Sequence, residues 1–243
     1  MRKLNVPSLQ HLARNWHAEP REITKSLVRL HDSPPTFSYG PVYDLVSDLL
    51  ILNTPIAEVM RAVQERVKRP SVRDNFLELL PLIDGYFRSV SPTFVHRMAG
   101  RQYPVARDLM VPFAPPLVYG ANGETCFPWF SFWRVSPLSG DRLSLFVSVI
   151  RELLLQDPDL EAAKFVILDL SATRAGQPRR LEVIDSRDVG VLSSARLREM
   201  LDVFAIGYRN AVEELQNRPF VGEALPDNQP KPSTGQGELF TEP

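Results

Sequence analysis

The chain has 243 residues, 44% of them hydrophobic and 23% charged, with a net charge of −1. That is globular composition, and it excludes the global basic field of a protein that coats nucleic acid. No apolar run reaches the length of a membrane span, the start MRKLNVPSLQHL lacks an apolar signal core, and the lone Cys126 excludes an internal disulfide. A cytoplasmic protein with no membrane association is therefore expected.

Residues 8–31 predict two short helices. Leu9, Leu12 and Trp16 share one face, Ile23, Leu27 and Leu30 another, and Pro20 suits the start of the second. After the turn-rich His31–Gly40, Pro41 opens a helix carrying Val42, Leu45, Val46, Leu49 and Leu50 on one stripe. Thr54 and Pro55 read as N-cap and first residue of the next helix, and Ser71 with Asp74 as a capping box for a third.

After Pro92 the pattern changes. Residues 101–120 mix prolines with β-branched and aromatic residues, which suggests short irregular strands. Asn122-Gly123 marks a hairpin turn. Cys126–Arg134, CFPWFSFWR, predicts the central strand of the core, since rings of that size dominate core energetics. Asp141 is placed to cap a helix that is apolar nearly all round, and so buried on several sides. Lys164–Leu170 and Arg180–Asp185 predict a hairpin, and Ser193 or Ser194 caps a helix that keeps its period from Leu197 to Leu215. From residue 220 the chain is polar and rich in Pro and Gly, which predicts a disordered tail.

The predicted fold is α+β: an N-terminal helical layer, then a small mixed sheet covered by two helices. Residues 1–219 are expected as one folded unit, with a helical part to 92 and the sheet with its helices from 93. Residues 220–243 form the tail.

Three groups of side chains suggest chemistry. Asp169, Glu182 and Asp185, with Asp188 beside them, lie on the last predicted hairpin, and carboxylates at strand ends can hold divalent metal for phosphodiester hydrolysis. Polar strand ends explain the same residues more simply. Arg61, Arg66, Lys68, Arg69 and Arg73 cluster at a helix junction and are candidates for nucleic-acid phosphates, although Glu58, Glu65 and Asp74 lie among them. Trp129 and Trp133 are of the type that stacks bases in single-strand binders, but their apolar neighbours assign them to the core. No sequence motif for a dinucleotide, a P-loop or a zinc site is present, and no metal or cofactor is expected.

The order helix, three strand pieces, buried helix, strand over roughly residues 70–186 resembles the core of PD-(D/E)XK nucleases. That resemblance implies an Asp on the second strand, and on the third a Glu or Asp with Lys two positions on. The matching stretches, Leu117-Val118-Tyr119 and Phe130–Arg134, hold no carboxylate. The resemblance therefore implies a nuclease-like frame used for binding.

The sequence Gln236-Gly237-Glu238-Leu239-Phe240 resembles the bacterial sliding-clamp-binding pentapeptide. Gln236, Leu239 and Phe240 match its anchor positions. Glu238 replaces the usual Ser or Asp, and Gly237 replaces the usual Leu, which weakens binding through a lost apolar contact and added chain entropy. The resemblance implies a non-catalytic accessory of bacterial DNA replication, repair or defence, with the clamp and DNA as partners. A metal-dependent nuclease using Asp169, Glu182 and Asp185, or an interaction module with no nucleic-acid role, are the alternatives.

Overall fold

The computed structural model describes residues 4–35, 38–174 and 176–218. Their elements run α1 (Leu9–Asn15), α2 (Pro20–Asp32), α3 (Gly40–Leu50), α4 (Ile56–Arg66), α5 (Pro70–Val90), β1 (Phe94–Arg97), β2 (Arg101–Ala106), β3 (Leu109–Phe113), β4 (Leu117–Ala121), β5 (Glu124–Ser131), α6 (Asp141–Leu155), β6 (Lys164–Asp169), β7 (Glu182–Asp185) and α7 (Ser194–Asn217). A 3-10 turn at Ser186–Asp188 separates the last two. The chain is α+β.

Five strands form one mixed sheet in the order β1-β4-β5-β6-β7, and β2 pairs with β3 apart from it. Neighbours in the large sheet are antiparallel except β5 and β6, which are parallel and joined through α6. The β4–β5 turn takes positive φ at both Asn122 (53°) and Gly123 (77°). That is the mirror-image turn whose twist matches a hairpin, and the Asn-Gly pair accepts it at low cost.

The aromatic strand lies at the centre of the sheet, which explains its composition. Phe127 and Trp129 face one apolar cluster, while Cys126, Phe130 and Phe132 face the other. A strand buried on both faces needs apolar residues at every position. β6 alternates likewise, with Phe165 and Ile167 on one side and Val166 and Leu168 on the other. Pro128 is tolerated here because pairing with β4 ends at Cys126, so its missing N–H removes no bond to that neighbour. The strand covers Glu124–Ser131 rather than Cys126–Arg134, so Trp133 and Arg134 lie just beyond its carboxyl end.

The N-terminal helices do not form one layer, contrary to expectation. α1 and α2 join α6, α7 and the β2–β3 hairpin on one face, and α3, α4 and α5 cover the other. α2 stays with α7 because the two fit closely. Thr24 Oγ1 donates to the Gly207 carbonyl at 3.0 Å, and a Cβ on Gly207 would meet Ile23 Cβ at 2.7 Å. Only glycine permits that approach.

Several predicted helix starts shift. Pro70 takes the first turn of α5, where its missing N–H costs nothing, so Arg69 occupies the cap and the Ser71–Asp74 box does not form. Pro55 sits at the cap of α4 and Gly140 at that of α6, which puts Asp141 in the first turn rather than at the cap. Ser193 does cap α7, its Oγ accepting from Arg196 N at 3.3 Å.

Candidate functional site

The carboxyl ends of β5 and β6 meet the loop 170–181 and the first half of α5. Ligands commonly bind at such an end of parallel strands. Arg179 organises it. Its side chain is 1% exposed. Nε and Nη2 both donate to Asn75 Oδ1, at 3.0 and 2.7 Å. Nη2 also donates to Tyr39 OH at 3.2 Å, and Nη1 donates to the carbonyls of Trp133 and Leu170 at 3.1 and 2.7 Å. Every guanidinium N–H is thereby used.

Glu78 on α5 completes the arrangement. It accepts from Arg179 N through Oε1 and from Arg134 Nη1 through Oε2, each at 2.6 Å. Burial alone would raise its carboxyl pKa, but these donors outweigh burial and hold it below the usual range. Arg134 also donates to the Gln177 carbonyl at 2.6 Å. Together these bonds clamp the 170–181 loop onto α5 and the end of β5. Ser131 and Asp169 are Cα partners in the same place, both buried, and Ser131 Oγ has no hydrogen-bond partner among the described residues.

The three carboxylates singled out from the sequence take separate positions. Glu182 lies opposite Asp169, but Asp185 lies opposite Val166, three residues along. That is about 10 Å down the strand and on the other face of the sheet. Asp185 is also occupied: Lys164 Nζ is at 2.9 Å and Arg187 Nη2 at 2.8 Å. Burial would raise its pKa, yet hydrogen bonds from Arg187 and the charge of Lys164 hold it far below the ordinary carboxylate value. Among the described residues no group of three or more His, Cys, Asp or Glu is placed to hold a metal ion. Cys126 is 5% exposed, and burial pushes its thiol pKa up, away from the reactive thiolate.

The basic cluster stays at the α4–α5 junction. Arg61, Arg66, Lys68 and Arg69 are exposed and Arg73 is half-exposed, 3.6 Å from Asp74. Arg73 lies about 140° around α5 from Glu78, on a different side of that helix. Gln236, Leu239 and Phe240, and the tail from residue 220, lie outside the described residues.

Sequence reasoning missed Tyr39, Asn75, Glu78 and Arg179. Arg179 sits in a Gly- and Pro-containing loop among polar residues, where nothing distinguishes a buried arginine from a solvated one. The one available signal was the Arg-Arg pair at 179–180 directly before a strand.

No family model matches the chain, and no curated protein matches it. A solved structure described as the crystal structure of SSO0001 matches over 81% of this chain and 86% of that one, with 13% identity and a TM-score of 0.31. No helix among the described residues is long and apolar enough to cross a membrane.

Proposed function

We propose that this protein is a non-catalytic accessory of bacterial DNA replication, repair or defence, working in the cytoplasm and held at the sliding clamp by Gln236, Leu239 and Phe240. The observation that carries this reading is the pentapeptide itself. It sets two large apolar residues side by side at the anchor spacing, within a polar stretch that offers them no core. The end of α7 supplies a fixed root for the tether. Arg218 Nη1 pairs with Asp32 on α2 at 2.8 Å and its Nη2 with Glu214 at 3.2 Å. The residues between Arg218 and Gln236 span at most about 60 Å when extended. The arrangement of acids supports binding rather than hydrolysis, since Glu78 and Asp185 are each committed to two basic residues.

Surface-immobilised bacterial sliding clamp, titrated with the full-length protein, tests this. Saturable binding in the micromolar range is expected, about −8 kcal/mol or weaker given Gly237. A Leu239→Ala/Phe240→Ala variant should lose at least tenfold in affinity. Equal binding by that variant, or none by the parent, removes the clamp from the account.

A further inference from the structure

We infer that the cleft between β2, α6 and α7 binds a free basic α-amino acid, with Arg198 taking its carboxylate, Glu152 its α-ammonium and Asp202 the cationic end of its side chain. This stands apart from the clamp reading and uses neither the tail nor DNA.

The cleft has a volume of about 290 Å³, just below the range of drug-sized ligand sites, which suits a molecule of amino-acid size. Its polar groups are only partly satisfied by the protein. Tyr103 is 5% exposed and donates its hydroxyl hydrogen to Glu152 Oε2 at 2.6 Å. Burial, and then the neighbouring carboxylate, pushes the Tyr103 pKa well up, so the phenol keeps its proton and holds Glu152 in place. Glu152 is half-buried, and its Oε1 has no hydrogen-bond partner among the described residues. No described Lys, Arg or His forms an ion pair with it. A carboxylate partly withdrawn from water without a counter-ion gains from a cation that enters from solvent.

Arg198 and Asp202 supply the other two charges of the cleft. Both are exposed on α7, four residues apart, yet they form no ion pair with each other or with any other described residue. Neighbouring cations of α7 are committed elsewhere, Arg196 to Glu199 at 2.9 Å and Arg209 to Asp108. Arg198 stands close enough to Tyr103 for its charge to oppose the rise in the phenol pKa, which places it near Glu152 as well. Two carboxylates against one guanidinium leave the cleft with a single net negative charge. That is the complement of an amino acid carrying one carboxylate and two cationic groups. The step from Arg198 to Asp202 along α7 is about 6 Å, comparable to the reach of a lysine side chain. Val105, Leu197 and Leu201 line the same cleft and offer apolar surface to the methylenes of such a side chain. A diamine would leave Arg198 unmatched, and an amino acid with an apolar side chain would leave Asp202 unmatched.

Isothermal titration calorimetry of the full-length protein with L-lysine is the test. Saturable binding with a Kd of about 1 mM or tighter is expected. Arg198→Gln should weaken L-lysine binding about tenfold or more, since a hydrogen bond to a charged group is worth at least that, and should leave cadaverine, which has no carboxylate, unaffected. Asp202→Asn should weaken both ligands. Glu152→Gln, which keeps an acceptor for Tyr103, should weaken L-lysine by a similar factor. Arg198 and Asp202 are exposed, so their variants decide the matter if Glu152→Gln fails to fold. L-norleucine, which lacks the side-chain ammonium, and Nα-acetyl-L-lysine amide, which presents lysine as a protein chain does, should each bind at least about tenfold more weakly than L-lysine. No saturation by about 10 mM L-lysine, unchanged binding in Arg198→Gln or Asp202→Asn, or equal binding of L-norleucine or of the blocked lysine overturns the proposal. The Leu239→Ala/Phe240→Ala variant should bind L-lysine normally, so failure at this site and failure of clamp binding are read separately.

Discussion

Arg179→Ala should be among the most damaging single substitutions in this protein. The side chain is 1% exposed and serves Asn75, Tyr39, Trp133 and Leu170, while its backbone N–H serves Glu78. Truncation leaves the Leu170 and Trp133 carbonyls and Asn75 Oδ1 short of donors, each costing about 1–3 kcal/mol where water cannot replace the bond. Water entering the vacated space recovers part of that. Breaking a buried charged network typically costs about 3–5 kcal/mol, and that is the expected loss. Against a domain stability of about 5–15 kcal/mol, much of the margin goes. The melting temperature should fall by about 10 °C for a chain of this size. Arg179→Lys keeps the charge but loses the planar fork, and should cost about 2–3 kcal/mol. Urea unfolding followed by circular dichroism measures both, with an unchanged m-value showing that only stability has moved. Asn75→Ala combined with Arg179→Ala should cost clearly less than the sum of the two, because they share bonds. A loss below about 1 kcal/mol for Arg179→Ala would show that the loop is not held by this network.

Gly207→Ala gives a test by sign. In a free helix the change stabilises by up to about 1 kcal/mol. Here the new Cβ would lie 2.7 Å from Ile23 Cβ and 2.8 Å from the Pro20 carbonyl, so a net loss of about 1–3 kcal/mol is expected in thermal unfolding. Burial, with a smaller contribution from Arg14, holds the His11 pKa below its ordinary 6.5. The unfolded chain therefore takes up that proton first as pH falls below about 6.5, and stability drops from there downward. Urea unfolding at pH 7.5 and 5.5 should show this loss in the parent, at no more than about 1.4 kcal/mol per pH unit, and a smaller one in His11→Phe. Loss of clamp binding in Leu239→Ala/Phe240→Ala is the functional expectation.

Much of the fold was legible in local pattern. Period-2 and period-3.6 spacing are properties of neighbouring residues, so α1 to α7, the Asn122-Gly123 turn and the central place of the aromatic strand could all be read from the chain. The apolar density of Cys126–Phe132 announced burial on both faces before any partner was known. Cap positions were less legible, because Pro55 and Pro70 moved the start of a helix by a residue or two.

The site was hardly legible at all. Asp169, Glu182 and Asp185 look like a set in sequence, but antiparallel pairing offsets Asp185 by three positions from the other two, and Lys164 and Arg187 occupy it. Arg179 lies some hundred residues from Asn75 and Glu78 and meets them only through the tertiary fold. Trp133 lies just past the end of β5 and packs, partly buried, against the same core as Trp129. The sequence by itself determined the elements, the twice-buried strand and the clamp-like peptide, because each is written in residues a few positions apart. Only the tertiary structure decided which helices cover which face and which charges are already paired. Those outcomes depend on distances between residues far apart in the chain, and local spacing carries no information about them.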